Sequence, residues 1–160
     1  QNSEMWYPRF RFAEALLIAA EAAYELGGVN KVKAVEYINR VRARGGIKEL
    51  TESTITFEHI VNEYRVEFAF EDHRWWDLKR WRLAHTVWNG VIDSPTAQMY
   101  SLFPYKVYAP GSPYDGKWAF EKSRSYMAPN ARNFTMRCYY GSIDDGWINK
   151  NPKLVKNPLQ

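Results

Sequence analysis

The sequence predicts a mainly α-helical protein: helical hairpins followed by a long, irregular, loop-rich C-terminal half. Three observations carry this. Apolar residues recur at three- and four-residue spacing through the first half, Gly-Gly pairs punctuate that half at helix-length intervals, and most prolines lie in the second half. The change falls near residue 85, giving a helical part (9–85) and a loop-rich part (86–160) within one domain spanning 1–160. A hydrophobic content of 46% suits a globular core and argues against wholesale disorder.

The first helix is expected over Phe10–Leu26. Phe12, Ala13, Leu16, Leu17, Ala20 and Tyr24 form one apolar stripe, and the many alanines let a neighbour approach closely. Gly27-Gly28 ends it. The second helix is expected over Lys31–Arg44, with Asn30 as N-cap and Val32, Val35, Ile38 and Val41 facing inward. Arg40, Arg42 and Arg44 crowd its last turn, where cations suit the helix dipole, and Gly45-Gly46 stops it. The third helix starts near Thr56, a candidate cap. Phe57, Ile60, Tyr64 and Phe68 continue its stripe toward Glu71, Trp75 and Leu78, so a carboxylate interrupts an apolar face. Helix pairs joined by tight Gly turns suggest a tetratricopeptide-like scaffold, which needs neighbouring helices to close. The second half reads as loops, with short extended pieces at Lys106–Tyr108 and Thr135–Tyr140.

The charge pattern excludes several function classes. A net charge of +4 spread among 18 acids lacks the basic stripe of a nucleic-acid binder. Cys138 is the sole cysteine, so no internal disulfide or cysteine metal cluster is available. His73 has no second histidine at ligand spacing, and His59 and His85 are remote, so no metal site is expected. No Gly-rich phosphate loop is present, and no cofactor is called for. No apolar run is long enough to span a bilayer.

The run from Asn62 to Trp81 is the densest in charge. Glu63 and Glu67 share a face with Arg65 between them; Glu71 and Arg74 are three apart, as are Asp77 and Arg80. Paired carboxylates can hydrolyse glycosides, but arginines at helical spacing favour a structural ion-pair network of Glu63, Arg65, Glu67, Glu71, Arg74, Asp77 and Arg80. No catalytic residues are therefore assigned to the run. Glu71 is expected to be the buried acid, paired with Arg74 or an arginine of the second helix. Trp75, Trp76 and Trp81 read as core at that spacing, with Trp75 facing inward.

This run resembles the C-terminal region of the SusD/RagB family of Bacteroidetes surface nutrient-binding lipoproteins. The family pattern is Asn-Glu-Arg-Arg-x-Glu-Leu-Ala-Phe-Glu-Gly-x-Arg-x-x-Asp-Leu-x-Arg-Trp. It is matched here by Asn62, Glu63, Arg65, Glu67, Ala69, Phe70, Glu71, Arg74, Asp77, Leu78, Arg80 and Trp81. Arg11 to Leu17 with Ala20-Glu21-Ala22, Ile38 to Arg44, and Asn151-Pro152-x-Leu154 with Asn157-Pro158 resemble three further family blocks in the right order. Tyr64 and Asp72 depart from the pattern, where Arg and Gly are common; Asp can still take the left-handed conformation that a helix break requires. Residues 83–148 match no family pattern.

The resemblance implies a SusD-like fold of which this chain is the C-terminal part. It implies capture of an oligosaccharide, or alternatively a peptide, and delivery to a SusC-like TonB-dependent outer-membrane transporter. It also implies a surface-exposed outer-membrane location through a lipid anchor outside this chain. A helical-repeat module that binds only protein is the alternative. From the residues alone, ligand contact is assigned to Tyr100, Tyr105, Tyr108, Tyr114 and Trp118. They sit among Pro and Gly, where rings can be held at a surface to stack on a sugar, with Asp115 or Lys117 to bond hydroxyls.

Overall fold

A computed structural model of the chain describes residues 9–124 and 128–159. The described part is mainly helical, with six α-helices and one two-stranded antiparallel sheet. It divides into two compact units, residues 1–77 and 78–160.

In the first unit α1 (Phe12–Leu26) and α2 (Lys31–Arg44) pack as a hairpin, and α3 (Phe57–Glu67) lies against α1. Each helix contributes one large side chain that is wholly buried: Leu17, Ile38 and Ile60. Each such burial is worth about 1.5–3 kcal/mol. Ala20 and Ala34 are also wholly buried, as expected where small residues let backbones approach. Val32 is 51% exposed, and Ala34 takes the inward position that the sequence assigned to Val32.

The helix ends follow local chemistry. After α2, Gly46 adopts φ 64, Ile47 N donates to the Arg42 carbonyl and Gly46 N to the Ala43 carbonyl. These bonds form a Schellman stop, which a residue with a Cβ would strain. Thr56 caps α3: its hydroxyl accepts from His59 N, and His59 Nδ1 accepts from Thr56 N. This is a capping box with His in the place usually held by Glu or Gln. Asn30 does not cap α2. A 3-10 turn over Gly28–Asn30 leads into that helix, with Asn30 already in helical geometry and making no side-chain cap bond. Arg11, extended at φ −146, precedes α1, so the helix begins at Phe12 and not at Phe10.

The third helix does not run on to Leu78. It ends at Glu67, a turn follows, and α4 (His73–Arg80) begins afresh. Phe70 and Asp72 have φ 66 and 64 in that turn, a conformation that breaks a helix. The break re-aims the apolar face. Asp77 and Leu78 are the buried residues of α4, while Trp75 is 44% and Trp76 66% exposed, so the inward placement of Trp75 is overturned.

The second unit is less irregular than the sequence suggested. It holds α5 (Ala84–Val87), a hairpin of β1 (Tyr100–Lys106) and β2 (Trp118–Arg124), a 3-10 turn over Met136–Tyr139, and α6 (Asp145–Lys150). The expected extended pieces are therefore misplaced: Lys106 ends a strand, and Thr135–Tyr140 is mostly a 3-10 turn. Leu78, Ala84, Trp88, Phe134 and Tyr139 form the core, with Leu83 and Val87 packed against it. The chain closes on itself where Phe134 N donates to the Trp88 carbonyl and Asn89 bridges Asn133. Gly90 beside that bridge has φ 75, and a Cβ there would come within 3.0 Å of the Asn133 side chain. Asn157 donates to the Gly141 carbonyl, which ties the terminal Asn-Pro segment back to the fold.

Candidate functional site

Glu63, Glu67 and Glu71 face arginines that come from far along the chain, while Asp77 lies 3.9 Å from His73 of its own helix. Arg42 Nη1 donates to Glu63 Oε2 at 2.6 Å. Arg11 donates to both carboxylate oxygens of Glu71 at 2.8 Å, and also to Glu67. Arg44 donates to both oxygens of Glu67 at 2.7 Å. Glu71 is thus met by a residue that precedes α1, a partner the sequence did not indicate. It is half-buried; the buried acids are Glu63 and Asp77. Arg65 is exposed.

The Arg11 guanidinium also lies 4.7 Å from the Phe68 ring centroid, and His73 stacks on the same ring at 4.3 Å. The bond from Glu71, then those of Glu67, raise the Arg11 pKa against the opposing effect of burial. Guanidinium groups from Arg11 and α2 thus tie α3 and the turn after it to the rest of the first unit. The histidines have structural tasks as well: His59 caps α3, His73 stacks on Phe68, and His85 bonds the Tyr139 hydroxyl at 2.7 Å. Among the described residues no group of three His, Cys, Asp or Glu side chains could hold a metal, and no helix is long and apolar enough to cross a membrane.

The aromatic candidates lie on or beside the hairpin. Strand register runs from Tyr100 opposite Arg124 to Lys106 opposite Trp118. Side chains alternate between faces along a strand, and directly opposed residues share a face. Tyr100 and Trp118 therefore lie on one face, with Leu102, Pro104, Lys106, Phe120, Lys122 and Arg124. Tyr105 lies on the other, with Phe103, Ala119 and Glu121. Tyr108 and Tyr114 sit in the connecting loop. The five do not form one platform, although they share one small structural unit.

Their availability differs. Tyr108 is 88% exposed, Tyr114 66% and Trp118 64%. Tyr100 is engaged: its hydroxyl donates to Asp93 Oδ1 at 2.8 Å, and Lys122 Nζ lies 3.9 Å from its ring centroid. Desolvation, then the bond to Asp93, push the Tyr100 hydroxyl above the ordinary phenol range. Arg124 grips the same Asp93 carboxylate, and the two bonds hold it below the ordinary carboxylate range, Arg124 contributing most. Asp93 thus clamps the open end of the ribbon. At the other end Val107 N donates to the Lys117 carbonyl while Gly116 N donates to the Val107 carbonyl. Two residues oppose one, a bulge that Gly116 accommodates with φ 71. Asp115 Oδ1 accepts from Ala109 N and stiffens the loop.

Sequence reasoning missed Lys106, Phe120 and Lys122 on the ribbon and Asp93 at its base. The signal was the period-two spacing Trp118-x-Phe120-x-Lys122 after a Pro- and Gly-rich loop.

Residues 1–159 match the SusD family. The SusD-like protein P2 of Formosa agariphila is 37% identical over 107 residues, which are 59% of this chain and 21% of that protein. The starch-binding protein SusD of Bacteroides thetaiotaomicron is 33% identical over 62% of this chain and 18% of its own length. The surface glycan-binding protein A of Bacteroides uniformis superposes with a TM-score of 0.53 and 26% identity, covering 94% of this chain and 27% of that one. A SusD superfamily structure from Bacteroides vulgatus has the same fold, with a TM-score of 0.55 and 22% identity. The chain spans about a fifth of the length of these curated relatives. The Arg-held acids of α3 lie within the matched region, as does the aromatic hairpin, and the chain belongs to the SusD family.

Proposed function

We propose that this chain is part of a surface nutrient-binding protein that captures an oligosaccharide and delivers it to a SusC-like TonB-dependent outer-membrane transporter. The observation that carries this is the match to the SusD family over residues 1–159, joined to relatives named for starch and surface-glycan binding. Attachment to the membrane would be through a lipid anchor outside this chain. The rings proposed to meet the ligand are Tyr108, Tyr114 and Trp118, with Tyr105 available separately on the opposite face of the ribbon and Tyr100 as a support held by Asp93. A flat exposed ring stacks on the apolar face of a sugar, while neighbouring polar groups bond its hydroxyls. The reading requires binding without bond cleavage, and no cofactor.

Calorimetry of the intact protein against a panel of oligosaccharides, starch fragments included, tests it. Binding to at least one glycan is expected, with Trp118→Ala lowering affinity about tenfold, the equivalent of about 1.4 kcal/mol. Failure on every glycan together with binding to peptides would overturn it. The delivery step predicts that the tagged protein, extracted from its native membrane, brings an outer-membrane transporter with it.

A further inference from the structure

The ribbon sorts its charges by face. Its strands carry Lys106, Lys122 and Arg124 as cations and Glu121 as an acid. The register puts all three cations on the face that holds Trp118 and Phe120, and puts Glu121 on the other. Asp93 offsets Arg124 with a 3.0 Å ion pair. Lys106 and Lys122 are exposed, and neither forms an ion pair among the described residues. They stand four pairs apart along the ribbon, about 13 Å at the usual rise per residue. Between them lies the Phe120–Pro104 pair, with Phe120 63% exposed, and Trp118 sits directly across from Lys106.

The geometry of this face is tight. Val107 N donates to the Lys117 carbonyl, and across the bulge its carbonyl accepts from Gly116 N, so by alternation Lys106–Trp118, Pro104–Phe120 and Leu102–Lys122 are pairs without mutual backbone bonds. Such pairs bring side chains closest together. Pro104, which has no N–H to donate, fits this position without loss. The face therefore sets one lysine at each end of a short apolar strip.

We infer that this face binds an acidic glycan, one bearing carboxylate or sulfate groups, with Lys106 and Lys122 meeting the charged substituents and Trp118 and Phe120 stacking on the sugar rings. The inference rests on the glycan-binding reading above and adds the ligand's charge class. A neutral glycan would offer these ammonium groups only hydroxyl bonds, which replace similar bonds to water. An acidic one gains charge-assisted bonds at both ends of the strip.

The test uses the intact protein and four polymers: polygalacturonate, which carries only carboxylates, carrageenan, which carries only sulfate esters, and the neutral amylose and dextran. An acidic polymer is expected to bind about tenfold more tightly than either neutral one, with affinity falling as salt rises. Preference for polygalacturonate assigns uronates, and preference for carrageenan assigns sulfate esters. Lys106→Gln/Lys122→Gln is expected to lose about tenfold in that affinity. Lys106→Gln alone, at an exposed site, is expected to lose about threefold while keeping the wild-type unfolding midpoint. Lys33→Gln/Lys153→Gln removes the same net charge elsewhere and is expected to leave affinity within about twofold. Equal weakening by both double variants would show diffuse electrostatics and overturn the assigned face. Binding of neutral polymers as tight as that of acidic ones would overturn the charge class while leaving glycan capture intact. Binding of no glycan at all would overturn both.

Discussion

Arg42 reaches from the last turn of α2 to the carboxylate of Glu63 on α3, and the two side chains are 13% and 5% exposed. Arg42 also donates through Nε and Nη2 to the Lys48 carbonyl, so one guanidinium closes both the α2 stop and the α2–α3 link. The partners differ in what each leaves behind when removed. Arg42→Ala strands a buried carboxylate and a carbonyl, and is expected to cost about 3–5 kcal/mol. Glu63→Ala leaves an arginine that keeps both bonds to Lys48, and is expected to cost about 1–3 kcal/mol. Urea unfolding of the two variants measures the difference. Equal losses, or a larger loss for Glu63→Ala, would contradict the assigned geometry.

Asp93 makes the ribbon's attachment sensitive to acid. Its carboxyl titrates below the ordinary range because Arg124 and then Tyr100 donate to it. A folded value below the unfolded one means that the clamp is fully present above the ordinary carboxylate range of about 4. It is lost as pH falls through the lower, folded value. Titration of Asp93 by NMR should give a midpoint below that of a free aspartate, and Asp93→Asn should speed amide exchange in β1 and β2 at neutral pH. Unchanged exchange in Asp93→Asn would show that Asp93 does not clamp the ribbon.

Cys138 is exposed, and its thiol titrates below the ordinary range. The main causes are the side-chain and backbone bonds with Thr135, with Arg137 and Lys79 adding to them. The thiolate is the reactive form. Alkylation by iodoacetamide followed against pH should therefore reach half its maximal rate below the value of a free thiol. Thr135→Val should move that midpoint back up; an unmoved midpoint would show that Thr135 is not the cause.

The parts of the fold legible in the sequence are those set by local chemistry. The limits of α2 and the capped start of α3 follow from Gly45-Gly46 and Thr56, residues that act within a turn of themselves. Asp72 was readable as a helix break, yet Phe70, which shares the left-handed turn, carried no such sign. The partners of Glu63, Glu67 and Glu71 lie tens of residues away, beyond any spacing rule. The ribbon escaped notice for a different reason. Almost every strand residue is exposed, so no apolar-in, polar-out alternation arises, and Pro104 sits mid-strand. The site was legible as a set of surface rings; the sorting of charge between faces needed the register.

The break after Glu67 also settles how α3 can slide. Glu63 and Glu67 stand one turn apart, so a shift of one helical pitch, about 5.4 Å, would set Glu67 where Glu63 meets Arg42. In an unbroken helix Glu71 could follow Glu67 into that shifted frame. With the chain turned at Phe68–Asp72, it cannot: Arg11 grips Glu71 and Glu67 from a point fixed just before α1, and any slip strands a carboxylate. The two left-handed residues thus act as a stop on a ruler, leaving α3 a single register in which Glu63, Glu67 and Glu71 each meet an arginine.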